Sequence, residues 1–342
     1  MLGKRTYHLT AIAAMALLAL GCSQAVDEPF PVSNVEIMPS MTVVDSIGIE
    51  VSSRSPIGGD RTQFSTNQIA TVWAYTTASP TNSTTPYIGH ADTYAQTDYT
   101  KSPYEYYLEL RPKRYYPESS DGVSDPPKLY FFAYYLYAAV TSATIEKVSI
   151  EIYGNGEVMW ARDITGYALA RSGTQPQPTL SFEHKLHYVG VRIKSDGTTT
   201  YDDPSKTLKY YTVKSVTLRN MYNLLELDPR NGTLTTNTSS TISATQECQV
   251  PVPLLCGTGS GSYIAAFYIS PDQSTVGLDI TIEDRNGTEK TYNMPDLTLS
   301  KGHAAGTSSE ITITFHGVEI APTAYVSDPW EHLSSGNVSA DI

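Results

Sequence analysis

Short segments in which apolar and polar residues alternate, each followed by a turn signal, constrain the fold of this chain more than any other feature. In Tyr104–Leu110 every second residue is Tyr or Leu, with Glu, Tyr and Glu between them. A period of two places successive side chains on opposite faces of a strand. The pattern recurs in Val148–Tyr153, Leu278–Glu283 and Ser309–Phe315, whereas both faces of Gln68–Tyr75 are partly apolar, which predicts a central strand. With turn-rich breaks between these segments and almost no helical period, the sequence predicts an all-β fold of β-sandwich type.

Two longer stretches add detail to this picture. Leu129–Val140 is an unbroken run of 12 apolar and aromatic residues; a membrane span needs about 20, so a buried strand is predicted. In Leu180–Ile193 the apolar residues stand at even-numbered positions as far as Leu186 and at odd-numbered positions from Val189. A one-residue slip moves side chains to the opposite face. We therefore expect either a bulge near His187–Tyr188 or a hand-over from one sheet or domain to the next.

The N-terminus has the pattern of a secretory signal. Lys4 and Arg5 precede Leu9–Leu20, an apolar stretch of 12 residues, which is too short to span a bilayer. The chain turns polar directly after Gly21-Cys22. This pattern predicts a bacterial lipoprotein signal peptide over residues 1–21 and lipid attachment to Cys22. Several acyl chains on that Cys would anchor the mature chain durably. The alternative is an ordinary signal peptide followed by a chance Cys.

The remaining chain of about 320 residues suits two domains of ordinary size. Residues 22–40 hold three prolines and no sustained period, so they are predicted to be a tether. Thr42–Val51 is the first strand candidate. Ser172–Pro178 interrupts the strand pattern and is the predicted boundary between an N-terminal domain, 41–175, and a C-terminal domain with tail, 176–342.

The charge balance excludes nucleic acid as a partner. The full chain carries a net charge of -12, and removal of residues 1–21 with their two cations, Lys4 and Arg5, makes it -14. Phosphate binding requires clustered Lys and Arg. An acidic chain of this kind is typical of a soluble, self-repelling surface protein.

Cys248 and Cys256 are the two cysteines beyond Cys22. In an exported protein they can form a disulfide that closes a short loop, which would add roughly 2–3 kcal/mol by the chain-entropy argument. Two reduced, buried thiols are the alternative, and the sequence leaves both open. Too few further ligands lie close by to predict a metal site.

The sequence offers no catalytic constellation. His184 and His187 are three residues apart on a predicted strand and therefore point to opposite faces. The chain contains no zinc-protease, nucleophile-elbow or phosphate-loop motif. Asp284-Arg285-Asn286-Gly287 lacks the acidic twelfth position of a calcium loop and predicts a hairpin turn. No catalytic, metal-binding or cofactor-binding residue is assigned, and no cofactor is expected.

Tyrosine is the abundant aromatic, with 25 copies. Tyr packs well on sheets with its hydroxyl at the edge, and this is the favoured interpretation. The alternative is an exposed platform that stacks on sugars together with Trp73, Trp160 or Trp330.

Several motifs, taken in their order along the chain, resemble the fimbrillins of Bacteroidetes, the subunits and tip adhesins of surface fimbriae. Phe-x-His-x-Leu followed by alternating Val is the most specific of them. The motifs are Cys22, an early strand leading to an Arg in Ile49–Arg54, Phe64–Tyr75, Tyr115–Pro117 before Leu129–Tyr135, and Phe182–Val191.

The resemblance implies two tandem β-sandwich domains of transthyretin-like, Greek-key type, and no enzymatic activity. It also implies export as a lipoprotein to the cell outer membrane and later residence in a surface fimbrium. The implied partners are other fimbrial subunits, together with host or bacterial surface ligands. A glycan-binding outer-surface lipoprotein is the alternative function.

The family's assembly mechanism can be transferred to particular residues. A trypsin-like protease would cut after Arg54, or alternatively after Arg61, and remove the first strand, predicted at Thr42–Val51. A strand from a neighbouring subunit, drawn from Ala324–Ile342, would fill the opened groove by strand addition. For each Arg, the structural alternative is a solvated loop charge.

Overall fold

The structure is a computed structural model that describes residues 32–44, 69–100, 105–120, 124–195, 212–253, 262–283, 286–299, 305–315 and 323–327. All regular structure in these ranges is β, and they contain no helix. The first twelve strands are β1 Val32–Glu36, β2 Ser40–Val44, β3 Ile69–Tyr75, β4 Ile88–Asp98, β5 Glu105–Leu110, β6 Tyr115–Pro117, β7 Leu129–Leu136, β8 Ala139–Ala143, β9 Val148–Glu151, β10 Val158–Tyr167, β11 Thr179–His184 and β12 His187–Ser195. The remaining seven are β13 Thr212–Asp228, β14 Thr233–Pro253, β15 Ser262–Ile269, β16 Thr275–Glu283, β17 Glu289–Thr298, β18 Ser308–Phe315 and β19 Thr323–Ser327. The predicted all-β class is confirmed.

Seven strands close into a barrel in the order β10-β11-β2-β5-β4-β3-β7, with β7 returning to β10. Its interior is the first hydrophobic core. Inward residues come from every second position of the strands, as their alternation predicts; they include Val72, Leu108, Phe131, Met159 and Phe182, each fully buried.

The second core lies between two further sheets. One has the strand order β17-β16-β13-β9-β8, with β14 also paired to β13; the other has the order β15-β12-β18-β19. Aliphatic residues dominate this core, among them Val216, Leu278, Ile280, Ile311 and Ile313. β16 and β17 pair antiparallel across Glu283 and Glu289, so the predicted hairpin is confirmed.

Strands β3 and β7 are buried on both faces, because they lie between the two cores. Ala70, Val72 and Ala74 of β3 pack in the barrel, while Trp73 and Tyr75 belong to the second core. This double burial explains why both faces of β3 are apolar in sequence. It also explains the long apolar run that predicted a buried strand where β7 lies.

The phase slip within Leu180–Ile193 is a hand-over between sheets. β11 is a barrel strand, whereas β12 belongs to the four-stranded sheet of the second core. The backbone N–H of Lys185, between them, donates to Val158 O at 2.8 Å. Of the two predicted alternatives, the hand-over is therefore the one observed.

Between β7 and β12 the chain crosses between the barrel and the sheets of the second core three times. Hairpin β8–β9 pairs with β13 in the six-stranded sheet, although it lies within 41–175. Strand β11 pairs with β2 and β10 in the barrel, although it lies within 176–342. The division at 175/176 itself stays a prediction.

The predicted tether over 22–40 is wrong in its C-terminal part. β1 occupies Val32–Glu36 and pairs with β6, and β2 begins at Ser40. The three prolines hid an alternation that runs through this stretch. The first strand predicted at Thr42–Val51 begins two residues earlier, and positions 45–51 lie outside the described residues.

Candidate functional site

The first described stretch of the chain, Val32–Val44, is the candidate functional element, and we call it the leading segment. Its odd-numbered residues point inward: Ile37 and Met41 are 0% and 3% exposed, and Val35 and Val43 pack against the first core. The even-numbered residues from Val32 to Thr42 are exposed or half-buried. A single period of two therefore runs through the whole segment, with Pro39 buried in phase.

Backbone hydrogen bonds hold the leading segment between two parts of the barrel. β2 is parallel to β11 over five residue pairs but antiparallel to β5 at only one pair, Ser40 with Tyr107. The N–H of Ser40 also donates to Pro178 O at 2.9 Å, and Pro39 O accepts from Leu108 N–H at 2.8 Å. The barrel ring thus closes through a strand that precedes every other barrel strand in sequence.

Gln177 contacts the bend between β1 and β2 with both ends of its side-chain amide. Its Oε1 accepts from the backbone N–H of Met38 at 3.0 Å, and its Nε2 donates to Glu36 O at 3.1 Å. The hydroxyl of Tyr116 lies 3.2 Å from the same Oε1 and 3.1 Å from Pro176 O. Burial raises the pKa of Tyr116, so this hydroxyl remains a donor.

Side chains add contacts along β2. Ser40 Oγ lies 2.9 Å from Thr179 Oγ1, and the hydroxyl of Thr42 donates to Ser181 Oγ at 3.1 Å. Lys113 Nζ lies 2.8 Å from Glu36 Oε2 at the surface. Exposed pairs of this kind contribute little to stability, so the buried residues and the backbone carry most of the attachment.

Asp163 braces the strand on which β2 rests. Its Oδ2 accepts from Thr179 N–H at 3.0 Å and from the Tyr167 hydroxyl at 2.7 Å, and its Oδ1 accepts from Thr165 N–H at 3.0 Å. Partial burial raises the pKa of this carboxyl, but these hydrogen bonds outweigh burial and lower its pKa below the ordinary value. The start of β11 is therefore fixed by a carboxylate.

Most of the site residues predicted from sequence fall outside the described ranges. Cys22, Arg54, Arg61 and Cys256 all lie there, so neither lipidation nor cleavage nor a disulfide is tested. Cys248 lies in β14. Residues 324–327 of the predicted donor segment form part of β19, which pairs antiparallel with β18 of the same chain.

The two buried histidines have structural partners in separate sheets. His184 Nδ1 lies 3.2 Å from Glu157 Oε1, and both side chains are almost fully buried. His187 contacts Thr307 Oγ1 at 2.8 Å and Ser309 Oγ at 2.9 Å. Within the described ranges, no group of three or more potential metal ligands occurs.

Two of the three tryptophans proposed for a sugar platform are core residues. Trp73 is 4% exposed, and Trp160 is 7% exposed with its indole N–H donating to Pro229 O. Trp330 lies outside the described residues. The most exposed tyrosines described are Tyr99, Tyr137 and Tyr153.

Sequence reasoning missed Gln177, Tyr116 and Asp163. Gln177 lies in the stretch predicted as a boundary loop, and nothing in its neighbours distinguishes it from a solvated Gln. The alternation of Val35, Ile37, Pro39, Met41 and Val43, by contrast, was a usable signal for the leading segment.

The fold and the site together define an all-β protein whose first described segment completes a barrel formed by later strands. The family model for fimbrillin-like proteins matches residues 59–330, and the chain belongs to this family. A comparison with curated proteins found no match. Across the described parts of the chain, we find no helix with the length and hydropathy needed to span a membrane.

Several solved structures resemble this chain. A candidate cell adhesion protein from Bacteroides uniformis is 17% identical with a TM-score of 0.50, over 86% of this chain and 97% of that one. One from Bacteroides ovatus is 14% identical with a TM-score of 0.43, over 84% and 97%. The fimbrial anchor protein Mfa2 from Porphyromonas gingivalis is 10% identical with a TM-score of 0.36, over 85% and 94%. The first of these likenesses supports the fold.

Proposed function

We propose that this protein is a structural subunit or adhesin of a cell-surface fimbria, assembled by proteolytic removal of the leading segment and donor-strand exchange. Family membership supports the fimbrial role. The mechanism is our proposal: a cut after Arg54 or Arg61 separates the leading segment from β3, and a strand from a neighbouring subunit takes its place. The neighbour's residues 324–342 would supply that strand, and other fimbrial subunits would be the partners.

One observation carries the mechanism. The leading segment fills a core position, yet both candidate cleavage sites follow it in the sequence and precede all other strands of the barrel. β2 ends at Val44 and β3 begins at Ile69, so one cut in between leaves the segment attached only by noncovalent contacts. Its departure would expose the barrel interior at Ile37 and Met41 and unpair β11 on one side. A groove with free backbone groups and apolar pockets binds an extended strand by β-augmentation.

The position of β11 makes the groove suitable for exchange. β11 keeps its antiparallel partner β10 when β2 leaves, at Met159–His184 and Trp160–Glu183, and Asp163 continues to hold Thr179. The receiving edge would therefore stay in place while empty. An edge with open hydrogen-bonding groups is unfavourable to leave exposed, which gives the incoming strand its driving force.

The remaining parts of the proposal concern export and architecture. We propose that the precursor carries a signal peptide over 1–21, is lipidated at Cys22 and sits in the outer membrane until the cut releases it to a surface fimbrium. We also propose two tandem β-sandwich domains of transthyretin-like, Greek-key type. The two separate hydrophobic cores support a division into two units.

Limited proteolysis of the soluble chain beginning at Ser23 tests the mechanism. A trypsin-like protease should cut after Arg54 or Arg61, and the trimmed protein should then form oligomers visible by size-exclusion chromatography and electron microscopy. N-terminal sequencing identifies which Arg is used. The variants Arg54→Ala and Arg61→Ala separate the two sites, and the double variant should remain monomeric under the same treatment.

The proposal fails if the trimmed protein retains the leading segment through prolonged incubation and stays monomeric, also with other fimbrial subunits present. A glycan array on the same soluble chain addresses the alternative function. Saturable sugar binding that is lost on replacing Tyr137 or Tyr153, in a protein that does not assemble, would favour the glycan-binding lipoprotein.

A further inference from the structure

The side-chain amide of Gln177 forms the same hydrogen bonds with the leading segment that the backbone of a neighbouring strand would form. A backbone strand neighbour offers one carbonyl oxygen and one N–H; Gln177 offers the same pair from its side chain, to Met38 N–H at 3.0 Å and Glu36 O at 3.1 Å. These bonds fall at the bend between β1 and β2, where β11 has not yet begun. Gln177 therefore continues the ladder of β11 backwards beyond Thr179.

Two neighbouring residues, Tyr116 and Pro178, hold Gln177 in position for this contact. The Tyr116 hydroxyl, 3.2 Å from Gln177 Oε1, orients the amide, and Tyr116 is fully buried in the first core. Pro178 follows Gln177 directly and accepts a hydrogen bond from Ser40. Neither of these supports belongs to the leading segment. Strand β6, which carries Tyr116, would lose its pairing with β1, but the Tyr116 ring would stay packed in the first core.

We propose that Gln177 is the register-setting residue of the strand-exchange groove: it binds the backbone of whichever strand occupies the groove, at the position now held by Met38. This inference rests on the proposed function, because it assigns a property to the groove that strand exchange would use. Gln177 contacts backbone atoms, so it fixes register without selecting a side chain. The buried pockets of Ile37 and Met41 select apolar side chains one position before and three positions after it.

The proposal sets a sequence rule for the partner strand. The residue at the Met38 position must carry a backbone N–H and therefore cannot be proline. The next position tolerates proline, because Pro39 contributes only its carbonyl, which accepts from Leu108 N–H. A strand shifted by one residue would turn its apolar side chains out of the groove. The hydrogen bonds to the amide of Gln177 further favour the unshifted register.

A thermodynamic cycle with a synthetic peptide tests the assignment. The peptide is Val32–Val44, fluorescently labelled, and its analogue carries an ester in place of the amide between Ile37 and Met38, which removes the Met38 N–H and leaves the Glu36 carbonyl an amide. Binding to trimmed protein is measured for the wild type and for Gln177→Leu. We expect Gln177→Leu to weaken the normal peptide roughly 10- to 30-fold. The ester should weaken binding to the wild type by about 10-fold and have little further effect on the variant.

Gln175→Leu is the matched control, because Gln175 lies in the same loop and its amide bonds to Ala168, Ala170 and Pro176 and to the Tyr116 hydroxyl, none of which belongs to the leading segment. It should bind both peptides as the wild type does. Equal peptide affinity of the Gln177→Leu variant and the wild type would overturn the assignment while leaving strand exchange intact. An ester penalty of the same size in the variant would overturn it as well.

A second measurement on the uncut chain separates this inference from the proposed function. Hydrogen exchange resolved at single residues should show the Met38 amide exchanging about 10-fold faster in Gln177→Leu than in the wild type, with Gln175→Leu unchanged. If trimmed wild-type protein binds no peptide, strand exchange is wrong; Met38 exchange then decides whether Gln177 binds the backbone at all. Unchanged exchange in Gln177→Leu would refute that contact whatever the peptide result.

Discussion

β2 and β18 occupy equivalent positions in the two halves of the molecule but are held very differently. Each is inserted parallel to one part of the continuous stretch 179–195, β2 on β11 and β18 on β12. β18 has eight parallel pairs with β12 and five antiparallel pairs with β19, whereas β2 has five and one. Among the described residues, β2 therefore has fewer paired residues than β18.

A side-chain contact also lies at the start of each strand. The ring nitrogens of His187 contact the hydroxyls of Thr307 and Ser309 at the start of β18, whereas Gln177 bonds to backbone atoms of Glu36 and Met38 ahead of β2. His187 is fully buried, while Gln177 is half-buried. Under the proposed mechanism, we expect the insertion of β18 to be permanent and the insertion of β2 to be the replaceable one.

We expect the largest loss of stability from a substitution at the point where β11 ends and β12 begins. Glu157 is 0% exposed, and its carboxylate lies 3.2 Å from His184. His184→Ala should lower the free energy of unfolding by about 3–5 kcal/mol, because it leaves a buried carboxylate without its partner. Chemical denaturation measures this loss, and both cores should lose stability together.

The double replacement Glu157→Met with His184→Leu is the control for that prediction. It removes the two buried polar side chains together, so much of the lost stability should return. If His184→Ala alone leaves stability unchanged, the contact between Glu157 and His184 does not stabilise this end of the barrel.

Replacing one buried side chain by alanine in each inserted strand should show whether β2 and β18 differ in stability. Ile313 of β18 and Met41 of β2 are 0% and 3% exposed, and burial alone would assign both alanine variants a loss of about 2–5 kcal/mol. We expect Ile313→Ala to lower the free energy of global unfolding by that amount. Met41→Ala should mainly accelerate hydrogen exchange in β2, because the leading segment can open while the rest stays folded.

Mass-spectrometric hydrogen exchange with denaturation of both variants checks this difference. In the wild type, β2 amides should exchange at least about 100-fold faster than those of β18. Equal global losses for the two variants would break the comparison, because the leading segment would then unfold only with the whole protein.

The sequence predicted what depends on local alternation and burial. The fold class, the burial of β3 and β7, and the phase slip within Leu180–Ile193 all follow from side-chain periods, although the period left a bulge and a hand-over equally open. These periods survive in the structure because one face of each strand must be removed from water.

Prediction failed where local composition and tertiary pairing disagree. The prolines of 22–40 concealed β1, since Pro39 fills an inward position whose N–H is not required. The Asn- and Thr-rich composition of Asp228–Ser240 indicates turns, but β14 begins at Thr233, because β-branched Thr suits a strand paired to β13. Gln177 and Asp163 act on residues 139 and 16 positions away, and no local pattern reveals such contacts.

The smallest predicted effect concerns the brace beneath β2. Asp163→Asn replaces a carboxylate that accepts from Thr179, Thr165 and Tyr167 and should lower stability by about 1–2 kcal/mol at pH 7. Because hydrogen bonding lowers the pKa of Asp163 in the folded state, its stabilising effect is fully present above the ordinary carboxyl pKa and is lost as pH falls through the folded value. The difference in unfolding free energy between wild type and variant should therefore be constant from pH 7 to about 5 and shrink below about 4.

Hydrogen exchange in β2 should follow the same pH course, since β2 pairs with β11. A difference in unfolding free energy that widens on acidification would mean that the carboxylate does not brace this edge.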